Sequence, residues 1–257
     1  GRPGVIIAGQ NGPGATNLVT GIAQANAAFS PVISLAGDIA TEHVGKDGFQ
    51  EIDQQKLFET ITKKTWSIKQ TNKIPEIFNN AFNLALTPRC GPVHINLPRD
   101  ILANSDSFTE FNKFQKAKMP EVSKENITKT IDIILSSSQP VIIAGGGIKN
   151  TQGHEEVIKL AKILNIPIVS SAGHGDAIPF SENLYAGQMG PRGNPLASEL
   201  VKKADVILAL GTRLGFNSTF FSYENINEQA SIIQIDIEPT ALGRYFPISI
   251  GMCADAK

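Results

Sequence analysis

Short apolar runs rich in β-branched residues recur along this chain, and several end in glycine or proline before a segment with helical spacing. That alternation restricts the fold to strand–helix–strand units, whose right-handed crossovers set consecutive strands parallel in one sheet. The first unit begins with Val5-Ile6-Ile7-Ala8, a composition suited to a strand buried on both faces. Next comes the loop Gly9-Gln10-Asn11-Gly12-Pro13-Gly14. Pro13 then opens a helix that carries Leu18, Ile22 and Phe29 on one face beside Val19 and Ala23, and Pro31-Val32-Ile33-Ser34-Leu35 is the second strand. Such a turn presents a helix N-terminus at the carboxyl edge of a sheet, where open α/β sheets bind ligands. A plain tight turn accounts for Gly-Pro-Gly equally well. The loop lacks the lysine of a phosphate loop, whereas the amides of Asn11 and Asn17 suit a polar heterocycle or a substrate.

The remaining segments repeat the pattern. A polar stretch over residues 37–48 closes on Phe49-Gln50-Glu51, before a helix through Gln54-Gln55-Lys56-Leu57-Phe58. Residues 65–68 alternate like a strand, 74–86 have helical spacing, and 92–98 form a strand that delivers Arg99 to its carboxyl edge. Arg99 there suits an anionic substrate; a surface ion pair is the competing reading. Polar residues over 105–122 mark a linker between a domain at 1–104 and another at 123–257. In the second domain, strands are expected at 140–144, 167–170, 206–213, 231–236 and 248–251, and helices at 127–135, at 155–164 and in the segment ending near Lys203. The expected fold is α/β, with two doubly wound parallel-sheet domains.

Gly145-Gly146-Gly147 after a strand lets a ligand approach the backbone or simply makes a turn. Asp236 suits a ribose hydroxyl or caps a turn, and Gly211 and Arg213 fit a nucleotide only if they converge with the triplet. The 4 histidines have no ligand spacing, so no metal site is expected within the chain, and no nucleophile triad is supported. A net charge of −1 without basic runs gives no footprint for nucleic acid or an anionic membrane. No apolar run reaches bilayer length, and Cys90 and Cys253 lack redox or metal spacing, which fits a reducing cytoplasmic setting. The ends, Gly1-Arg2-Pro3-Gly4 and Ala254-Asp255-Ala256-Lys257, read as those of an internal fragment.

As an ordered set, Gly1-Arg2-Pro3-Gly4-Val5, Gly12-Pro13-Gly14-Ala15-Thr16-Asn17, Phe49-Gln50-Glu51, Gly91-Pro92-Val93 and Leu97-Pro98-Arg99-Asp100 resemble one particular domain. It is the pyrimidine-binding domain of thiamine-diphosphate-dependent enzymes of the acetohydroxyacid synthase group. Gly145-Gly146-Gly147, Ala204-Asp205, Gly211-Thr212-Arg213 and Ile235-Asp236-Ile237 resemble that group's central, Rossmann-like domain. Gln10-Asn11 before Gly-Pro-Gly, Gly211-Thr212-Arg213-Leu214-Gly215 with Ser218-Thr219, and residues 248–257 lean toward its sulfoacetaldehyde acetyltransferase branch; residues 41–48 look more like acetolactate synthase.

The resemblance implies thiamine diphosphate as cofactor, with Pro13 and Asn17 by its aminopyrimidine and Phe49 and Gln50 lining the pocket over it. Gln10, Asn11 and Arg99 would face a small anionic substrate. It also implies a catalytic glutamate upstream of Gly1, a magnesium and diphosphate domain after Lys257, a homodimer or homotetramer, and an inactive isolated fragment. Glu76 stands where flavin-binding members carry an Arg, and Gly215 and Asn217 stand where they carry charged residues, which argues against FAD. A non-catalytic nucleotide-binding module and a structural remnant of a degenerate paralogue are the other readings.

Overall fold

The computed structural model describes residues 3–107 and 121–257, so most of the expected linker lies outside the described residues. The chain divides into two compact units, Gly1–Lys118 and Met119–Lys257. In the first, the order is β1 (Gly4–Ala8), α1 (Pro13–Thr16), α2 (Val19–Ala27), β2 (Val32–Asp38), α3 (Gln54–Glu59), β3 (Thr65–Ser67), α4 (Ile74–Leu86), β4 (Val93–Pro98) and α5 (Arg99–Ala103). Its sheet runs β1-β2-β4-β3, with every pairing parallel. One face carries Ile33, Leu35, Val93 and Ile95 against Ala81 and Ala85 of α4. The other packs Ala36 against Ala15, Ile22 and Phe58. Helix α4 starts with Pro75 at its first turn, and Lys63 ties its C-terminal turn to the loop that follows, its Nζ donating to the carbonyls of Leu84, Thr87 and Arg89 at 2.7–2.9 Å.

Two expectations fail here. The first strand is not buried on both faces: Val5, Ile6 and Ile7 are exposed on β1, which lies beside β2 at the end of the sheet order. The first helix is not one continuous element: it breaks at Asn17-Leu18, and Phe29 lies beyond its end with φ 53°, so Ile22 is the one fully buried residue of α2.

The second unit contains α6 (Lys124–Leu135), β5 (Pro140–Ala144), α7 (Gly146–Thr151), α8 (His154–Leu164), β6 (Ile168–Ser170), β7 (Tyr185–Gln188), α9 (Pro195–Lys203), β8 (Val206–Leu210), α10 (Phe216–Thr219), β9 (Ser231–Asp236) and β10 (Ile250–Cys253). The sheet order β10-β9-β8-β5-β6-β7 is parallel throughout, and the chain reverses its direction of progress between β5 and β8. Apolar clusters cover both faces. Strand β7 escaped the sequence because Tyr-Ala-Gly-Gln is neither apolar nor alternating, and β10 sits two residues later than expected.

Candidate functional site

At the carboxyl edge of the first sheet, the turn after β1 is clamped to the turn before α3. Gly12 has φ 56°, and a Cβ there would lie 2.3 Å from the Gln50 carbonyl oxygen. Only glycine fits that approach. Asn11 Nδ2 donates to the carbonyls of Phe49 and Gln50 at 3.0 and 3.1 Å, and Gln10 Nε2 donates to Gln50 Oε1 at 2.5 Å. Gln50 itself is held at φ 58°, and the Phe49 ring is left 81% exposed at the rim. Glu51 braces the preceding loop: its carboxylate accepts from the Gly45 and Gly48 amides at 2.6 and 3.0 Å, which hold its pKa below the usual value.

Of the residues singled out by sequence, Gln10, Asn11, Phe49 and Gln50 thus meet by direct contact, and Pro13 opens α1 immediately after them. Asn17 ends α1 and is exposed. Arg99 opens α5 on the same edge, at the end of β4, which pairs with β2. It is exposed and, among the described residues, has no ion-pair partner. Its neighbour Asp100 ties that helix to the loop after β2, accepting from the Thr41 amide at 3.0 Å and from its hydroxyl.

Beneath this edge lies a buried polar line that the sequence reading missed. Ser34 and His94 are opposite partners on β2 and β4, and Asn96 and Asp38 share their face at two-residue spacing. His94 Nε2 lies 2.7 Å from Asn96 Oδ1, which can only accept; Nε2 is therefore the protonated nitrogen. Nδ1, 3.0 Å from Ser34 Oγ, then accepts from the hydroxyl. The ring stacks on Phe58 at 3.7 Å, and burial pushes its pKa down to about 4. Desolvation raises the Asp38 pKa against the opposing pull of the Ile39 amide and the Gln54 and Asn96 side chains.

In the second unit, Gly145, Gly146, Gly147 and Gly211 do converge at the β5–β8 reversal. They converge on one another: a Cβ on Gly147 would lie 2.6 Å from Gly211 Cα, and the Gly147 amide donates to the Gly211 carbonyl at 3.0 Å. The Gly145 amide goes to the Leu210 carbonyl, and the His174 ring sits over Gly146. The pKa of that histidine is lowered chiefly by burial, then by the charge of Lys149 and, less, by that of Arg213. Asp236 Oδ1 caps a turn by accepting from the Glu238 amide at 2.9 Å. The Gly145 and Gly147 amides are thus spent within the protein.

Comparison with known proteins decides the family. The central domain of thiamine pyrophosphate enzymes matches residues 127–257, and their N-terminal thiamine-pyrophosphate-binding domain matches residues 1–57. The chain belongs to the thiamine pyrophosphate enzyme family. It is 38% identical to a probable acetolactate synthase large subunit of Methanocaldococcus jannaschii and 36% identical to that of Methanococcus aeolicus, over 100% of this chain and 44% of each relative. It is 34% identical to the sulfoacetaldehyde acetyltransferase of Alcaligenes xylosoxydans xylosoxydans, over 100% of this chain and 42% of the relative. The chain thus spans less than half the length of these relatives. For a thiamine pyrophosphate enzyme, an exposed aromatic ring flanked by side-chain amides suits the edge of a nitrogen heterocycle. Among the described residues, no cluster of three or more His, Cys, Asp or Glu could hold a metal, and no helix is long and apolar enough to cross a membrane.

Proposed function

We propose that this chain supplies the pyrimidine-side half-site and the central domain of an enzyme that uses thiamine diphosphate to move a two-carbon unit from an anionic carbonyl donor. The observation that carries the proposal is the clamp of Gln10 and Asn11 on Phe49-Gln50, which holds an exposed aromatic ring at the rim beside the helix that Pro13 opens. Thiamine diphosphate, when bound, would supply a nucleophilic carbon for the carbonyl and an electron sink: for a 2-oxo acid the sink takes the pair left by departing carbon dioxide, and for sulfoacetaldehyde it takes the C–H pair after proton loss, sulfite leaving with its own bonding pair. Pro13 and Asn17 seat the pyrimidine edge, Phe49 and Gln50 line the pocket over it, and Gln10 and Asn11 face the donor. Arg99 meets the donor's sulfonate or carboxylate with a planar pair of N–H groups. The glutamate that sets the ring tautomer and the contacts to magnesium and diphosphate come from polypeptide outside residues 1–257, in a homodimer or homotetramer. No flavin step is assigned.

Sulfoacetaldehyde as donor, with phosphate as acceptor, is supported by Gln10-Asn11 before Gly-Pro-Gly. Pyruvate condensation to acetolactate is supported by the 36–38% identity to acetolactate synthase subunits and by residues 41–48. Full-length protein incubated with thiamine diphosphate, magnesium and either donor, with and without phosphate, separates the two. Acetyl phosphate with sulfite identifies the first, acetolactate with carbon dioxide the second, and neither product sinks the proposal. Residues 1–257 alone are expected to show no turnover with either donor.

A further inference from the structure

The first sheet holds a feature that neither coenzyme contact nor packing explains. Gln54, the first residue of α3, is 1% exposed, yet its Nε2 donates to the Gly37 carbonyl at 3.1 Å while its Oε1 is buried without a hydrogen-bond partner. A buried acceptor left unsatisfied is costly, and an apolar side chain of the same shape would fill the space without that cost. What Gln54 grips is the crossing on which the candidate site rests. Gly37 sits so close under the loop after β1 that a Cβ on it would lie 2.4 Å from the Gly9 carbonyl oxygen. The next residue, Asp38, is fixed by the Ile39 amide at 2.9 Å and flanked by Asn96, the end of the line through His94 to Ser34. Two supports therefore converge on the last two residues of β2, one from α3 and one from β4. The loop they carry holds Gln10, Asn11 and Gly12.

We propose that Gln54 is a positioning residue: by holding the Gly37 carbonyl it sets the height of the Gly9–Gly12 turn over the sheet, and the Ser34–His94–Asn96 line steadies the adjoining Asp38. This rests on the reading of that turn as the pyrimidine-side half-site. Gln54 would touch no ligand and would act through the Gly37 carbonyl and the adjoining Asp38 carboxyl.

The test is Gln54→Met in the full-length protein, with three readouts: thermal midpoint without coenzyme, amide exchange over residues 9–14, and the dissociation constant for thiamine diphosphate with magnesium. Because the substitution removes an orphaned acceptor together with the donor to Gly37, the midpoint is expected to change little. Exchange at Gly12 and Gly14 is expected to quicken, and coenzyme affinity to fall about three- to tenfold, the equivalent of one hydrogen bond. A residue with a merely structural role would lower the midpoint and leave the other two readouts unchanged, which overturns the proposal. If Gln54→Met does not fold, Ser34→Ala cuts the far end of the supporting line; it should move loop exchange in the same direction by a smaller factor, and unchanged exchange overturns the proposal. Should unsubstituted protein bind no thiamine diphosphate, the functional reading fails, while loop exchange still decides whether Gln54 positions the turn.

Discussion

The glycine turn after β1 and the glycine triplet after β5 read alike as sequence: a strand, glycines, then a short helix. Their polar groups go to opposite uses. In the first unit, side-chain amides clamp one loop to another and leave an aromatic ring exposed at the rim. In the second, the backbone amides of Gly145 and Gly147 are spent on Leu210 and Gly211, and His174 covers the glycine between them. Close approach of backbone to backbone is common to both, so glycine there records proximity and says nothing of a ligand. The chemistry lies in what the neighbouring side chains are free to do.

The harshest way to break this comparison is to add one methyl group to each turn. Gly12→Ala combines a left-handed φ with a Cβ 2.3 Å from the Gln50 carbonyl; a loss on the order of 4 kcal/mol is expected, with loss of coenzyme binding. Gly147→Ala meets only the Gly211 backbone, and about 2 kcal/mol of stability should go with coenzyme affinity intact below its melting point. Calorimetry and coenzyme titration on both variants check the pair. Equal effects on binding would erase the distinction.

Acid sharpens the contrast between the two sheets. His94 titrates near 4 in the folded state instead of 6.5, so between those values the unfolded chain binds more protons. Stability is therefore intact above about pH 6.5 and falls as pH drops toward 4, by about 3 kcal/mol for this group. His94→Leu, which also strands Ser34 and Asn96, should lower stability at pH 7 and flatten the acid slope in chemical denaturation of the first unit. An unchanged slope would mean that His94 is not buried neutral.

How much of this was legible beforehand depended on which period carried the signal. Helix α4 was read to the residue because Pro75 opens it and Ile77, Phe78, Ala81, Phe82 and Ala85 keep one face. The clamp was half legible: the unusual amides Gln10 and Asn11 stood out, while their partners lie some forty residues away along the chain. The buried line was illegible. Val-Ile-Ser-Leu-Ala and Val-His-Ile-Asn-Leu each read as apolar strands with stray polar residues, and only the register that sets Ser34 opposite His94 turns them into one network. A signal did exist, since Ser34, Asp38, His94 and Asn96 sit at even spacing on two adjacent parallel strands. The place of β1 at the end of the sheet order is set by pairing, which composition does not encode.

A gentler test loosens the clamp itself. Asn11→Ala removes two hydrogen bonds to the Phe49 and Gln50 carbonyls and should cost about 1–2 kcal/mol of local stability, with a small change in global melting. Faster amide exchange at residues 48–51 is the expected readout, and no comparable change should appear at residues 145–148.

The smallest effect concerns two arginines that end up in different company. Arg99 is exposed beside a helix start fixed through Asp100 and Thr41, whereas the charge of Arg213 helps lower the pKa of His174. If Arg99 meets the donor's anionic group, Arg99→Gln should raise KM for that donor roughly fivefold, near 1 kcal/mol, with kcat little changed. Arg99→Lys keeps the charge but loses the planar pair of donors, so it should recover only part of the loss. Raised salt should weaken the unsubstituted enzyme in the same direction and the Gln variant less, because screening acts on an exposed charge. Arg213→Gln should leave donor KM unchanged, since Arg213 belongs to the turn that spends its amides inward. A KM shift in Arg213→Gln with none in Arg99→Gln would place the anion at the other glycine edge and reverse the assignment of the two turns.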